Sequence, residues 1–277
     1  VVGISMMPTM RPDGTILDQP GYDPKTRLLL INAVKMPPIP EKPTREDAVK
    51  ALLLITDLLS EFKFVDDVAR AVAVSAIVTT VLRGAFLVVP IHVTDSPVAG
   101  SGKSYLFDIV STVVSGQRMP VISAGGSREE TEKRIGAAII AGQPLICIDN
   151  LNGDNGELGG PALSQITERP RPQVRVLGKS ELVEVEAGGV TIFANGINIV
   201  IAGDITRRVI KCRIDPNMER PELREYKNDP IATVLKDRGA YIAAALTIAR
   251  AYIVAGGRIN SLASPRSRDG PTPCARP

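Results

Sequence analysis

The 277-residue chain is long enough for one large domain or two small ones, and its 44% hydrophobic and 23% charged residues are those of an ordinary globular protein. A net charge of +3 provides no global basic field, so any contact with nucleic acid has to be local. Aromatic residues are only 4% with no Trp, which argues against base-stacking platforms, and Cys147, Cys212 and Cys274 lack ligand spacing, which argues against zinc or disulfides and suits a reducing cytosol.

No signal peptide or membrane span is legible. The most apolar stretch, residues 68–82, carries Arg70 and is too short to cross a bilayer. The chain opens on Val1-Val2 without Met and reads as a piece of something longer.

Residues 1–43 are rich in Pro, Gly and Asp and predict turns with one short strand at 27–32. Thr44-Arg45-Glu46-Asp47 predicts a helix start with an acidic first turn, followed by Leu52, Leu53, Ile55, Leu58, Leu59 and Phe62 on a helical stripe. A second helix is predicted over 65–83, and the two together predict a helical collar.

The apolar run 85–94 reads as a buried parallel strand, with the sole histidine, His92, as a packed strand residue. It leads into Gly100-Ser101-Gly102-Lys103-Ser104, which has the form of a phosphate-binding loop, and a helix is predicted from 104 to 115. Strand, glycine loop and helix is the context that motif requires. Glycines let backbone N–H groups close around phosphate oxygens, and the helix N-terminus adds partial positive charge. On this reading Pro97, Ala99, Gly100, Ser101, Gly102, Lys103 and Ser104 bind nucleotide. Lys103 reaches the β- and γ-phosphates, and the Ser104 hydroxyl holds Mg²⁺. The usual pattern begins with Gly where this chain has Pro97.

Further along, 119–123 predicts a short strand, Ser127-Arg128-Glu129-Glu130 a capping box opening a helix that ends near Ala141-Gly142, and 144–149 a third buried strand. That strand delivers Asp149, a carboxylate suited to hold Mg²⁺ beside the phosphate loop. The next residue is Asn150, which can orient water but cannot accept a proton, so either another carboxylate serves (Asp154 and Glu157 are nearby) or turnover is slow. A helix near 160–168 follows. Residues 174–177 and 182–185 then flank Gly178-Lys179-Ser180 as a hairpin whose tip Lys179 suits DNA phosphates, or is a solvated turn. A fourth core strand over 189–194 ends in Asn195 and Asn198, either of which could touch the γ-phosphate or its water, although Asn-Gly is also plain turn chemistry. Arg207 and Arg208 precede a fifth strand over 208–214. Residues 216–228 read as charged loop, 229–255 as one or two helices, and 261–277 as a disordered tail rich in Ser, Pro and Arg.

The alternation predicts an α/β domain with a mainly parallel sheet. The order of stations, from the GSGKS loop through Asp149-Asn150 and a hairpin to the Asn-tipped strand and the Arg207-Arg208 pair, resembles the AAA+ ATPase superfamily over residues 9–255. Within it the chain resembles helicase-type ATPase modules of phage, plasmid and integrative-element replication proteins, related to superfamily 3 and minichromosome-maintenance helicases. The resemblance implies a P-loop NTPase with a five-stranded sheet in the order 5-1-4-3-2. It divides the chain into lead-in and collar (1–84), nucleotide-binding core (85–215), a small helical lid (216–260) and the tail (261–277). It further implies ATP and Mg²⁺ as cofactors, single- or double-stranded DNA as partner, a hexameric ring in the cytoplasm, and fused or associated primase or replication domains. Arg207 or Arg208 would reach a neighbour's γ-phosphate, and Arg220, Arg224 or Arg250 would be the lid arginine on the nucleotide. The rivals are an AAA+ ATPase that remodels protein or acts in defence, and a nucleotide-binding switch, motivated by Pro97 and Asn150.

Overall fold

A computed structural model describes residues 3–31, 34–152, 157–175, 181–186 and 189–257, with Asn152 described through its backbone alone. Five short strands open the chain: β1 (Gly3–Ser5), β2 (Thr9–Met10), β3 (Ile16–Leu17), β4 (Gly21–Tyr22) and β5 (Leu28–Leu30). They pair as a β1-β5-β4 sheet and a β2-β3 ladder. The sequence showed only the last of them, because strands of two or three residues are too short to display a period.

Helix α1 (Arg45–Asp57) starts at a reciprocal cap. Thr44 Oγ1 accepts the Asp47 N–H at 3.2 Å, and the Asp47 carboxylate accepts the Thr44 N–H at 2.8 Å. Helix α2 (Asp67–Val81) is capped by Asp66, which accepts the Ala69 N–H at 2.7 Å. Its buried alanines, Ala69, Ala73 and Ala76, let it lie close to its neighbours.

The first core strand, β6 (Ile91–Ser96), starts later than the apolar run suggests. A 3-10 turn at Arg83–Ala85 and Pro90, which lacks an N–H for the ladder, keep residues 86–90 out of it. Then come α3 (Lys103–Ser115), β7 (Val121–Ser123), α4 (Arg128–Ile140), β8 (Leu145–Asn152), α5 (Pro161–Glu168), β9 (Gln173–Arg175), β10 (Leu182–Glu184), β11 (Thr191–Ile197) and β12 (Val209–Arg213). Strands β9 and β10 pair antiparallel, Leu182 opposite Arg175. Residues 176–180, which include Lys179, lie outside the described residues, as does the segment 261–277. The chain closes with α6 (Pro230–Lys236) and α7 (Arg238–Val254), separated at Asp237, which caps α7 by accepting the Ala240 N–H at 3.2 Å.

The main sheet runs β12-β6-β11-β8-β7 with every pair parallel, so the five core strands taken in chain order lie 5-1-4-3-2. All six residues of β6 are buried, as expected for a strand with helices on both faces. Along the strands alternate residues serve two cores. Cys147, Phe193 and Cys212 face α1, α2, α3 and α7. Ile146, Ile148, Ile192 and Ala194 face α4 and α5. The carboxyl ends of β6, β8 and β11 therefore meet side by side, which in open α/β sheets is where ligands bind.

Candidate functional site

The loop between β6 and α3 turns through two left-handed glycines, Gly100 (φ 69°) and Gly102 (φ 91°), a conformation that other residues rarely adopt. It delivers the first turn of α3 to a cavity of about 500 Å³ lined by residues 99–105, Asn150, Leu151 and residues 195–197. Lys103 Nζ donates to the Val98 carbonyl at 2.9 Å and to Ser101 Oγ at 3.0 Å. Partial burial lowers its pKa, while the charges of Asp95 and Asp149 oppose that shift.

Asp149 and Asn150 sit on a bulge of β8. Ile148 pairs with Ala194 and Leu151 with Gly196, so both residues stand opposite Asn195 alone, and Asn150 takes φ 61°. Gly196 is required there, since a Cβ on it would stand 1.8 Å from the Leu151 carbonyl oxygen. Asn195 is 2% exposed and ties the stations together. Its Nδ2 lies 3.4 Å from Ser104 Oγ and 3.8 Å from Cys147 Sγ, and its Oδ1 accepts the Asn150 N–H at 3.4 Å. Asp149 Oδ1 is buried and takes no hydrogen bond among the described residues.

These features fit a magnesium-bound nucleotide. The glycine turns would admit phosphate oxygens close to the backbone, Lys103 is a cation within the loop, and Asp149 and the Ser104 hydroxyl are hard oxygen donors of the kind Mg²⁺ prefers. The unpartnered Asp149 oxygen is the observation in favour, because a buried polar atom normally has a partner.

Other expected residues fall elsewhere. Pro97 is half-buried and outside the cavity lining. Asn198 is exposed, outside the lining, and in a left-handed turn (φ 50°) whose N–H reaches the Ser96 carbonyl at 3.2 Å. Arg207 and Arg208 end a 3-10 turn at Gly203–Arg208. Arg207 pairs with Asp204 at 2.5 Å and is largely exposed, whereas Arg208 is nearly buried between Asp204 at 2.8 Å and Glu168 at 3.2 Å. Glu157 turns to Arg128 at 2.8 Å, and Asp154 lies outside the described residues. Of the three arginines expected to offer a nucleotide contact, Arg250 donates to the Ile39 and Pro40 carbonyls, Arg224 to the Glu61 carbonyl, and Arg220 pairs with Glu222.

One residue of the site was given no role from sequence. Asp95, at the tip of β6, is fully buried. Its Oδ1 accepts the Ile199 N–H at 2.9 Å, and its Oδ2 stands 2.8 Å from Lys211 Nζ and 3.6 Å from an Arg213 nitrogen. It thus joins the strand before the loop, the turn after Asn195 and the edge strand β12. The available signal was a charged residue ending an apolar strand.

No protein-family model and no curated protein matches the chain. Among solved structures, the A form apo structure of the NrS-1 C-terminal region is similar over 86% of this chain and 54% of that one, at 15% identity and a TM-score of 0.45. A ligand-bound JCV helicase is similar over 73% and 53%, at 12% identity and a TM-score of 0.37. The chain spans about half the length of these two solved chains.

Proposed function

We propose that this chain is a helicase-type ATPase module of the AAA+ kind, working as a ring, with six copies as the expected number, on DNA in the cytoplasm as part of a larger replication protein. The observation that carries the reading is the meeting of Lys103, Ser104, Asp149 and Asn195 at the carboxyl ends of three adjacent parallel strands. The N–H groups of residues 99–104 would bind the phosphates of ATP, with Lys103 on the β- and γ-phosphates. Ser104 and Asp149 would hold Mg²⁺, whose charge offsets that of the phosphate oxygens. Asn195, already beside Ser104, would orient the attacking water or the γ-phosphate, and the Asn150 amide would help to place that water without taking its proton. Asn198 is the weaker choice for this role because it is exposed and outside the cavity. Arg207 is the better candidate to reach a neighbour's nucleotide, since Arg208 is committed to Glu168 and Asp204. Lys179 would touch DNA phosphates from the hairpin tip.

A nucleotide-binding switch is the second reading. It is favoured by Asn150 and by the lack of a carboxylate among the described residues that line the cavity. ATP hydrolysis measured with and without single-stranded DNA, on protein sized by light scattering, separates the readings. DNA-stimulated turnover by an oligomer is expected. Turnover indifferent to DNA favours protein remodelling or defence, and binding without turnover favours the switch.

A further inference from the structure

A segment outside the core brings a carboxylate to the phosphate loop. The 3-10 turn Pro221–Leu223 lays Glu222 against Gly100. A Cβ placed on Gly100 would stand 3.3 Å from the Glu222 nitrogen and 3.5 Å from both its Cβ and its Oε2. Glu222 Oε1 in turn accepts from Arg220 Nε at 3.1 Å. The strap carrying this pair is fastened to the collar at Glu61, whose carboxylate accepts the N–H groups of Lys227 at 3.0 Å and Asn228 at 2.9 Å and whose carbonyl accepts from Arg224. The backbone hydrogen bond from Lys227 leads the interactions that hold the Glu61 carboxyl below its ordinary pKa. On the other flank Phe62 covers Gly102, with a ring carbon 3.4 Å from where its Cβ would be. The loop is thus held between the end of the collar and the strap, with Lys103 folded back onto Val98 and Ser101.

A carboxylate against a glycine loop puts negative charge beside a site whose amides and lysine suit an anion. It also pairs with Arg220, a cation of the same strap two residues away. An exposed carboxylate–guanidinium pair is weak and exchangeable, whereas a phosphate can pair with the same guanidinium through more charge and more oxygens. We infer that the Arg220–Glu222 pair is an autoinhibitory latch on the phosphate loop, in which Glu222 stands where it disfavours an anion and a nucleoside triphosphate takes Arg220 from it. This rests on the reading of the loop as a nucleotide site.

The test is equilibrium binding of a fluorescent, non-hydrolysable ATP analogue with Mg²⁺, on the full chain and on E222Q, E222A, R220A and K103A, each checked for folding by circular dichroism. E222Q and E222A are expected to bind roughly two- to fivefold tighter, the range set by one exposed charge pair. That gain should shrink as salt screens it and be absent for uncharged adenosine. R220A is expected to bind more weakly. If the parent binds in a Lys103-dependent way while folded E222Q and E222A bind no tighter, or R220A binds as well as the parent, the latch is overturned and the nucleotide site stands. If the folded parent shows no Lys103-dependent binding, the site reading is overturned and the latch with it.

Discussion

At the scale of the residue, Lys103 and His92 illustrate two fates of a titratable group in one strand–loop unit. Lys103 lines the cavity and bonds to Val98 and Ser101, partners that a phosphate can replace; partial burial lowers its pKa and the charges of Asp95 and Asp149 oppose that shift. Replacing it with Ala should reduce ATP turnover by at least about a hundredfold, the loss seen when one charge-stabilising donor is removed, and should weaken nucleotide binding. A steady-state assay with a binding titration checks both. His92 is buried between β6 and α2, with Nε2 3.4 Å from Ser75 Oγ, and burial lowers its pKa from 6.5 to about 4. The folded chain therefore refuses a proton that the unfolded chain accepts below about pH 6.5. Stability is intact above that pH and should fall as pH drops towards about 4, by up to ~3 kcal/mol from this group. Urea unfolding at pH 7 and pH 4.5 should show the loss, and His92→Gln should flatten it relative to the parent.

At the scale of the element, what could be read from sequence depended on whether the signal was local. The start of α1 at Thr44, the Ser127 cap of α4, the buried strands and the glycine loop each declare themselves within a few residues, and the structure has them, with the reciprocal capping box at Thr44 while at Ser127, where it was expected, Glu130 pairs with Arg134. Lys103, Ser104 and Asp149 were legible as candidates for the same reason. What was missed depends on partners distant in sequence. The N-terminal strands are too short to show a period. Asp95 has its meaning through Ile199, Lys211 and Arg213. The choice between Asn195 and Asn198 turned on the bulge at Asp149-Asn150, which aligns Asn195 with the loop and leaves Asn198 in the turn beyond. The β9-β10 ladder appears where the alternation of apolar residues put it. It packs on α4 at Gly136, where an added Cβ would stand 2.5 Å from Val174 Cγ1. Lys179, at the expected tip of this hairpin, should bind DNA phosphate if the helicase reading holds. Lys179→Ala should then leave basal hydrolysis near normal, weaken single-strand binding, and lower the slope of log affinity against log salt by about one. A salt titration of binding by fluorescence anisotropy is the measurement.

At the scale of the whole molecule, the 3-10 turn bearing Arg207 leads straight into the edge strand β12, leaving Arg207 mostly exposed and, among the described residues, paired with Asp204 of its own turn. Acting on a neighbour's nucleotide, such an arginine can supply roughly 10³–10⁵-fold in rate. Activity should then rise steeply with protein concentration. Mixing Arg207→Ala chains with Lys103→Ala chains should restore hydrolysis at interfaces that combine an intact loop with an intact arginine. Rings that form from the mixture and stay inactive would argue that Arg207 serves only its own turn.

Helices α1 and α2 and the last helices, α6 and α7, are separate in sequence but not in packing. Ile242, Ala245 and Leu246 of α7 are buried in the same core as Ile55 of α1, Ile77 of α2 and Val110 of α3. A Cβ on Gly239 would stand 2.0 Å from the Lys35 carbonyl oxygen, so the start of α7 is keyed to the segment before α1. A chain ended at residue 215 would thus strip from α1, α2 and α3 the helix they pack against. In any lineage that exchanges parts by recombination, the last helices and the first would have to travel together, and the strap at 220–228 with them, since it is tied to Glu61 just beyond α1.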